Sequence, residues 1–256
     1  MVRKTFFNFI LSLSFISGQS NLKEGIISYN KRHGKCIEDR ADPDQISSAI
    51  TYFEKALNNE IDKKAASIYL LKSYYFKAKF AENDKSLKKK IFEKGKELGS
   101  NLIEEFPESV ECRYWYLVNL GSWAEEYGVF AAAIEGVADQ MKFHSEKIIE
   151  LDSKYEQGAG YFLLGAVHYK APYIPFILSW PNNRDAIKYL QLAHDTGDAE
   201  IAQMVYLSQA LYKGKKKDEA ISLLGKAMKT VPSKDNYASD WEWIKKAGNI
   251  LYTYKK

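Results

Sequence analysis

The chain has 256 residues, a formal net charge of +4, 46% hydrophobic residues and 14% aromatic ones. That length supports one or two ordinary cores. The Lys runs at 88–90 and 215–217 stand beside Glu93, Asp218 and Glu219, as solvated helix faces do, so no basic stripe points to nucleic acid.

The first twenty residues read apart from the rest. MVRK gives a basic start, Phe6 to Ile16 is mostly apolar, and Gly18-Gln19-Ser20 supplies small residues at the −3 and −1 positions of a cleavage site. The apolar run is shorter than the roughly 20 residues a bilayer span needs. The sequence therefore predicts a signal peptide over 1–20, cleaved after Ser20, and one domain over 21–256 in the periplasm or outside the cell. Cleavage takes away Arg3 and Lys4 and lowers the charge to +2. No Cys follows the run to carry a lipid anchor, and no later stretch is long and apolar enough to cross a membrane.

Beyond residue 20 the chain repeats itself. SAITYFEKAL (48–57) sets Ala49, Phe53 and Ala56 on one helical face. GSNLIEEFP (99–107) and IIELD (148–152) are weaker versions of the same element. RDAIKYLQLAHD (184–195) places Ala186, Leu190 and Ala193, and DEAISLLGKAMKTVP (218–232) places Ala220, Leu224 and Ala227, each pair 34 residues apart. The small residues mark where a neighbouring helix comes close. Their partner helices precede them: RYWYLVNLGSWAEEYG (113–128), YFLLGAVHY (161–169) and VYLSQALY (205–212). A helix pair of this size cannot bury its faces alone, whereas stacked pairs can, which makes a solenoid.

Leu207, Ser208, Leu211, Ala220, Leu224, Ala227 and Pro232 fall on the consensus spacing of the tetratricopeptide repeat (TPR) family, and the resemblance covers roughly residues 25 to 232. It implies an all-α fold: a right-handed TPR-like solenoid of about five helix pairs. The tail DWEWIKKAGNILYTYKK reads as a C-terminal capping helix.

Two repeats break the spacing. Leu207 lies 13 residues before Ala220, but Leu164 lies 22 before Ala186, so nine extra residues occupy the turn of the fourth repeat. They are the core of APYIPFILSWPNN (171–183), whose three prolines end the preceding helix and stiffen the connection. The third repeat carries VFAAAIEGVADQ (129–140) in the equivalent turn. Such turns emerge on one edge of a solenoid, so two apolar insertions meet there, either as a dry cap or as a lid over an apolar cavity. In the lid reading Tyr173, Phe176, Ile177 and Trp180 form the cover, and Tyr114, Trp123, Tyr161 and His168 the floor. Asn119, Gln203 and Tyr206, also on first helices, complete the candidate binding surface.

RYWYLVNLGSWAEEYG followed by GAGYFLLG, with the Tyr114-Trp115 pair, Gly121 and ELDSKYEQG, resembles the T-component of TRAP-type transporters. It also resembles bacterial relatives of the regulator of microtubule dynamics proteins. The transporter resemblance implies an exported helical-repeat protein with an internal apolar ligand channel that partners a solute-binding protein. The chain departs from that family in lacking the lipid-anchor Cys.

No catalytic constellation stands out. His33, His144, His168 and His194 form no HxxxH or HExxH group, and no zinc spacing, GxSxG, phosphate loop or Rossmann fingerprint is present. His168 sits where a packing ring is usual and reads as a core histidine. Cys36, read as part of the first helix, and Cys112 are two repeats apart, beyond disulfide reach, so both are expected free. The sequence thus points to a non-enzymatic scaffold, without cofactor or metal, that binds another protein or peptide. The alternative is a transport accessory that holds a small apolar ligand and docks on a periplasmic solute-binding protein.

Overall fold

The structure is a computed structural model that describes residues 21–256, so the signal segment expected over 1–20 lies outside the described residues. Twelve helices and no β-strand make up the described chain. Helix α1 covers residues 21–30 and pairs with α2 (Pro43–Ala56). The next pairs are α3 (Lys63–Phe76) with α4 (Lys85–Glu105), and α5 (Val110–Tyr127) with α7 (Val137–Leu151). Then come α8 (Tyr155–Lys170) with α9 (Asn183–His194), and α10 (Ile201–Lys213) with α11 (Lys217–Ala227). Short α6 (Val129–Ile134) is inserted in the third pair, and α12 (Tyr237–Lys255) follows the fifth. This is the TPR-like solenoid of five helix pairs with a C-terminal helix.

Local chemistry sets the helix starts. Asp42 caps α2 by accepting from the Asp44 N–H at 2.9 Å, with Pro43 in the first turn, where its missing N–H costs nothing. Asp84 caps α4 from Leu87 N–H and Asn182 caps α9 from Asp185 N–H, both at 2.8 Å. The repeated small residues do what their spacing requires: Ala49, Ala56, Ala186, Ala193, Ala220 and Ala227 are all fully buried. Gly165 brings α8 against α9 so closely that an added Cβ would lie 2.6 Å from Leu190 Cγ and 2.8 Å from its backbone N.

Two elements differ from expectation. The insertion at 129–140 is not one loop: α6 takes its first half, and its last residues form the first turn of α7. The chain can reverse between them because Gly136 takes φ +62. Glu156, Gln157 and Gly158 take left-handed backbone (φ 43, 56 and 81), so regular α8 starts at Ala159. Gln203 holds that turn in place, donating from Nε2 to the Gln157 carbonyl at 2.9 Å.

Helices α3, α5, α8 and α10 pack in succession along the inner layer, and α12 continues the series against α10 and α11. But α12 does more than cap the last repeat. The segment leading into it returns to the first repeat, where Arg32 donates to the Asp235 carbonyl at 2.5 Å and the His33 ring lies 2.9 Å from the same oxygen. Lys245 pairs with Glu38 and Asp39 at 2.8 and 2.7 Å. Ala238 joins the core cluster of Ile46, Phe53 and Phe76. The ends of the solenoid therefore meet across the concave side.

Candidate functional site

That closure leaves a cavity of about 600 Å³ at the centre of the molecule. Its volume lies within the range of small-molecule sites, about 300–1,000 Å³. One end is apolar and lies beneath the two insertions. Val129 and Ala132 of α6, Val137 and Met141 of α7, and Leu163 and Val167 of α8 line it. Pro172, Ile174 and Leu178 of the 171–183 loop complete that wall.

The loop is a tight turn, not an unstructured flap. Ile174 and Leu178 exchange backbone hydrogen bonds at 2.8 Å each way, and Phe176 at the apex has φ 67. The bridged pair faces inward, and the apex residues face out. Trp180 then fixes the loop to the other insertion, donating from Nε1 to Asp139 on α7 at 2.8 Å.

This geometry corrects most of the expected site. Of its residues, Tyr114 and Tyr206 line the cavity. The expected lid residues Tyr173, Phe176 and Ile177 point to solvent, with Phe176 fully exposed, because the turn presents Ile174 and Leu178 instead. Trp180 lies off the cavity wall, its ring edge-on to His168 at 4.9 Å. His168 is 6% exposed and stacks on Tyr189; its Nδ1 is the acceptor facing Asn182 N–H at 3.4 Å, so it is core. Trp123 is buried against Tyr127 and donates to Glu93 at 2.5 Å. Asn119 is fully buried and ties α5 to α3 by donating to the Leu71 carbonyl. Tyr161 is half-buried outside the cavity, and Gln203 is spent on the turn before α8.

The other end of the cavity is polar and comes from elements the repeat pattern does not single out. Lys79 projects from a π-turn, Lys77–Ala81, that extends α3. It pairs with Glu242 at 3.2 Å and Glu125 at 3.6 Å. Burial alone would lower its pKa, but those carboxylates outweigh it and hold the ammonium above its ordinary value. Glu200, the N-cap of α10, and Asp240 and Trp243, one turn apart on α12, stand at the same end. The Glu200 side chain is exposed on the concave surface, where the surrounding protein still reduces its hydration. That desolvation, with the Glu156 and Asp240 carboxylates nearby, pushes Glu200 up to about 7. The Tyr114 phenol is likewise pushed well above its usual range, by burial and then by Glu200 and Glu156.

One pair invites a catalytic reading. Cys36 lies in the connection after α1, not in the helix as expected, with Sγ 3.6 Å from His33 Nδ1. A nucleophilic pair needs a thiolate beside an imidazolium. Here burial raises the Cys36 thiol, and burial with nearby Arg32 lowers His33 to about 4. Both groups are neutral at pH 7. Cys36 and Cys112 are free. Among the described residues no cluster of His, Cys, Asp and Glu could hold a metal ion, and no helix is long and apolar enough to cross a membrane.

No protein-family model matches the chain, and no curated protein does. Among solved structures, the crystal structure of TTC0263, a thermophilic TPR protein from Thermus thermophilus, is similar with a TM-score of 0.60 and 16% identity. The match covers 92% of this chain and 99% of that one. The fold is TPR-like.

Proposed function

We propose that this chain is a non-enzymatic binding protein that holds an amphipathic small molecule in its central cavity. The observation that carries the reading is the return of the C-terminal segment to the first repeat. It turns the concave face, which an open solenoid offers to an extended peptide, into a half-open pocket with an apolar end and a polar end. The signal-like segment at 1–20 supports a role outside the cytoplasm.

Gly121 gives a direct test. It lies on the cavity wall in α5, and an added Cβ would meet nothing nearer than Met141 Cε at 3.8 Å. Gly121→Leu therefore fills the cavity while gaining up to about 1 kcal/mol of helix propensity. An apolar fluorescent probe should bind the natural protein and lose at least tenfold in affinity to the variant, with thermal stability equal or higher. Equal binding to both would refute the cavity as the site.

A second reading concerns the outer edge. Phe130, Ile134, Phe176 and Ile177 are 72–103% exposed on the two insertions that Trp180 joins. Large exposed apolar side chains in one region mark interaction surfaces. A protein partner, such as a solute-binding protein, that docks there would sit over the apolar end of the cavity.

A further inference from the structure

We propose that the polar end of the cavity is a subsite for the ammonium group of an amphipathic amine, held between Glu200 and Tyr206 on α10 and Asp240 and Trp243 on α12. The proposal rests on the cavity reading above and names the chemistry of its ligand.

Charge accounting points to a cation. Glu156, Glu200 and Asp240 line the cavity, and none takes part in an ion pair among the described residues. Asp240 accepts one backbone N–H, from Ser233 at 2.8 Å, which leaves its charge unpaired. Of the surrounding cations, all but Arg32 and Lys170 are paired with other carboxylates. Lys79 pairs with Glu125 and Glu242, Lys72 with Glu111, and Lys246 with Glu242. Arg32 donates to the carbonyls of Tyr29 and Asp235. Lys170 rests over the Tyr206 ring at 5.6 Å, outside ion-pair distance of any carboxylate. His33 faces the Asp235 carbonyl and Cys36. Three carboxylates thus share one end of a concave site with no cation paired to them, an arrangement that an incoming ammonium relieves.

A second observation is independent of those acids. Tyr206 is 8% exposed and lies on the cavity wall, and its hydroxyl has no hydrogen-bond partner among the described residues. The hydroxyl opens on the cavity instead of being sealed in the core, so it can bond whatever fills that space. Its ring lies 5.5 Å from that of Trp243, and Phe162 stands edge-on to it at 5.3 Å. Both the Tyr206 and Trp243 rings already carry a lysine ammonium, Lys170 over Tyr206 at 5.6 Å and Lys246 over Trp243 at 4.1 Å. Rings that attract ammonium groups beside carboxylates suit an organic cation better than a hydrated metal ion. Glu200 is raised because partial desolvation by the surrounding concave wall and two like charges act on it with no cation offsetting them, which fits the same picture. The apolar end then takes the hydrocarbon part of the ligand.

The test compares three ten-carbon probes on the full chain by displacement of an apolar dye at pH 7.5: decylammonium, decanol and decanoate. The proposal expects decylammonium to bind at least tenfold tighter than decanol, and decanoate to bind weakest. Glu200→Gln should bring decylammonium down to the level of decanol and leave decanol unchanged. Glu200 also caps α10, so Glu156→Gln, at an exposed position, serves as the second variant and should cut the ammonium preference at least threefold. Decanol binding as well as decylammonium, or a preference that survives both variants, overturns the subsite and leaves the cavity reading standing. If none of the three probes binds, the cavity reading and the subsite fall together.

Discussion

Replacing Trp180 by alanine, beside the same change at Phe176, separates the two sides of the 171–183 loop. The Trp180 indole donates to Asp139 at 2.8 Å, its ring meets His168 at 4.9 Å, and the Lys142 ammonium lies over it at 5.1 Å. Truncating a fully buried large ring costs about 3–5 kcal/mol, so a half-buried one loses roughly half of that, about 2 kcal/mol. The hydrogen bond to a partly solvated carboxylate adds about 1 kcal/mol. Phe176 is fully exposed at the turn apex, and its removal should stay within about 0.5 kcal/mol. Urea unfolding of the two variants and the natural protein measures both, read from midpoints at constant slope. Asp139→Ala combined with Trp180→Ala should cost less than the sum of the single changes, since the pair is in contact. Equal losses at Phe176 and Trp180, or full additivity with Asp139, would refute this account of how the insertions are joined.

Stability should depend on pH in opposing ways. Glu200 titrates at about 7 in the folded protein against roughly 4.3 when unfolded, so protonation stabilises the fold and that contribution is lost as pH rises through 7. His33 and His144, lowered to about 4 against about 6.5 unfolded, act in the other sense and cost stability as pH falls from 6.5 towards 4. The stability of natural protein minus that of Glu200→Gln, measured by urea unfolding, should therefore fall between pH 5 and 8; a flat difference would contradict the assignment. Gly165→Ala forces a methyl against Leu190 and should destabilise by roughly 1–3 kcal/mol, whereas no loss in a thermal melt would show the α8–α9 approach to be looser than described. Thiol titration of the denatured, unreduced chain should count two free thiols; a count of zero would contradict the spacing of Cys36 and Cys112.

The repeat architecture was legible because each pair announces itself locally. The Ala–large–Ala spacing at 186, 190 and 193 and at 220, 224 and 227 requires a close neighbour, and every one of those residues is buried. The two insertions were legible as departures from that spacing. Which of their side chains face inward was not. Phe176 and Leu178 look alike in sequence, and only the backbone bridge between Ile174 and Leu178 distinguishes them. Polar lining residues such as Lys79, Glu200 and Asp240 were missed for another reason. They converge because the chain's ends meet, Arg32 with the carbonyl of Asp235 across 203 positions, and no local pattern encodes that return. Asn119 and Trp123 are packing residues because a ring or amide on a first helix serves inter-helix packing as readily as binding, and His168 is the core histidine that its place in the repeat indicates.

The most direct test of the central claim is mass spectrometry of the folded protein under native conditions, followed by analysis of what it releases on denaturation. The account predicts a stoichiometric excess mass on the folded chain that disappears on unfolding, carried by a molecule with an apolar portion and an ammonium group. It also predicts that Gly121→Leu purifies without that mass. A folded chain of bare protein mass that takes up no amphipathic amine when one is supplied would contradict it.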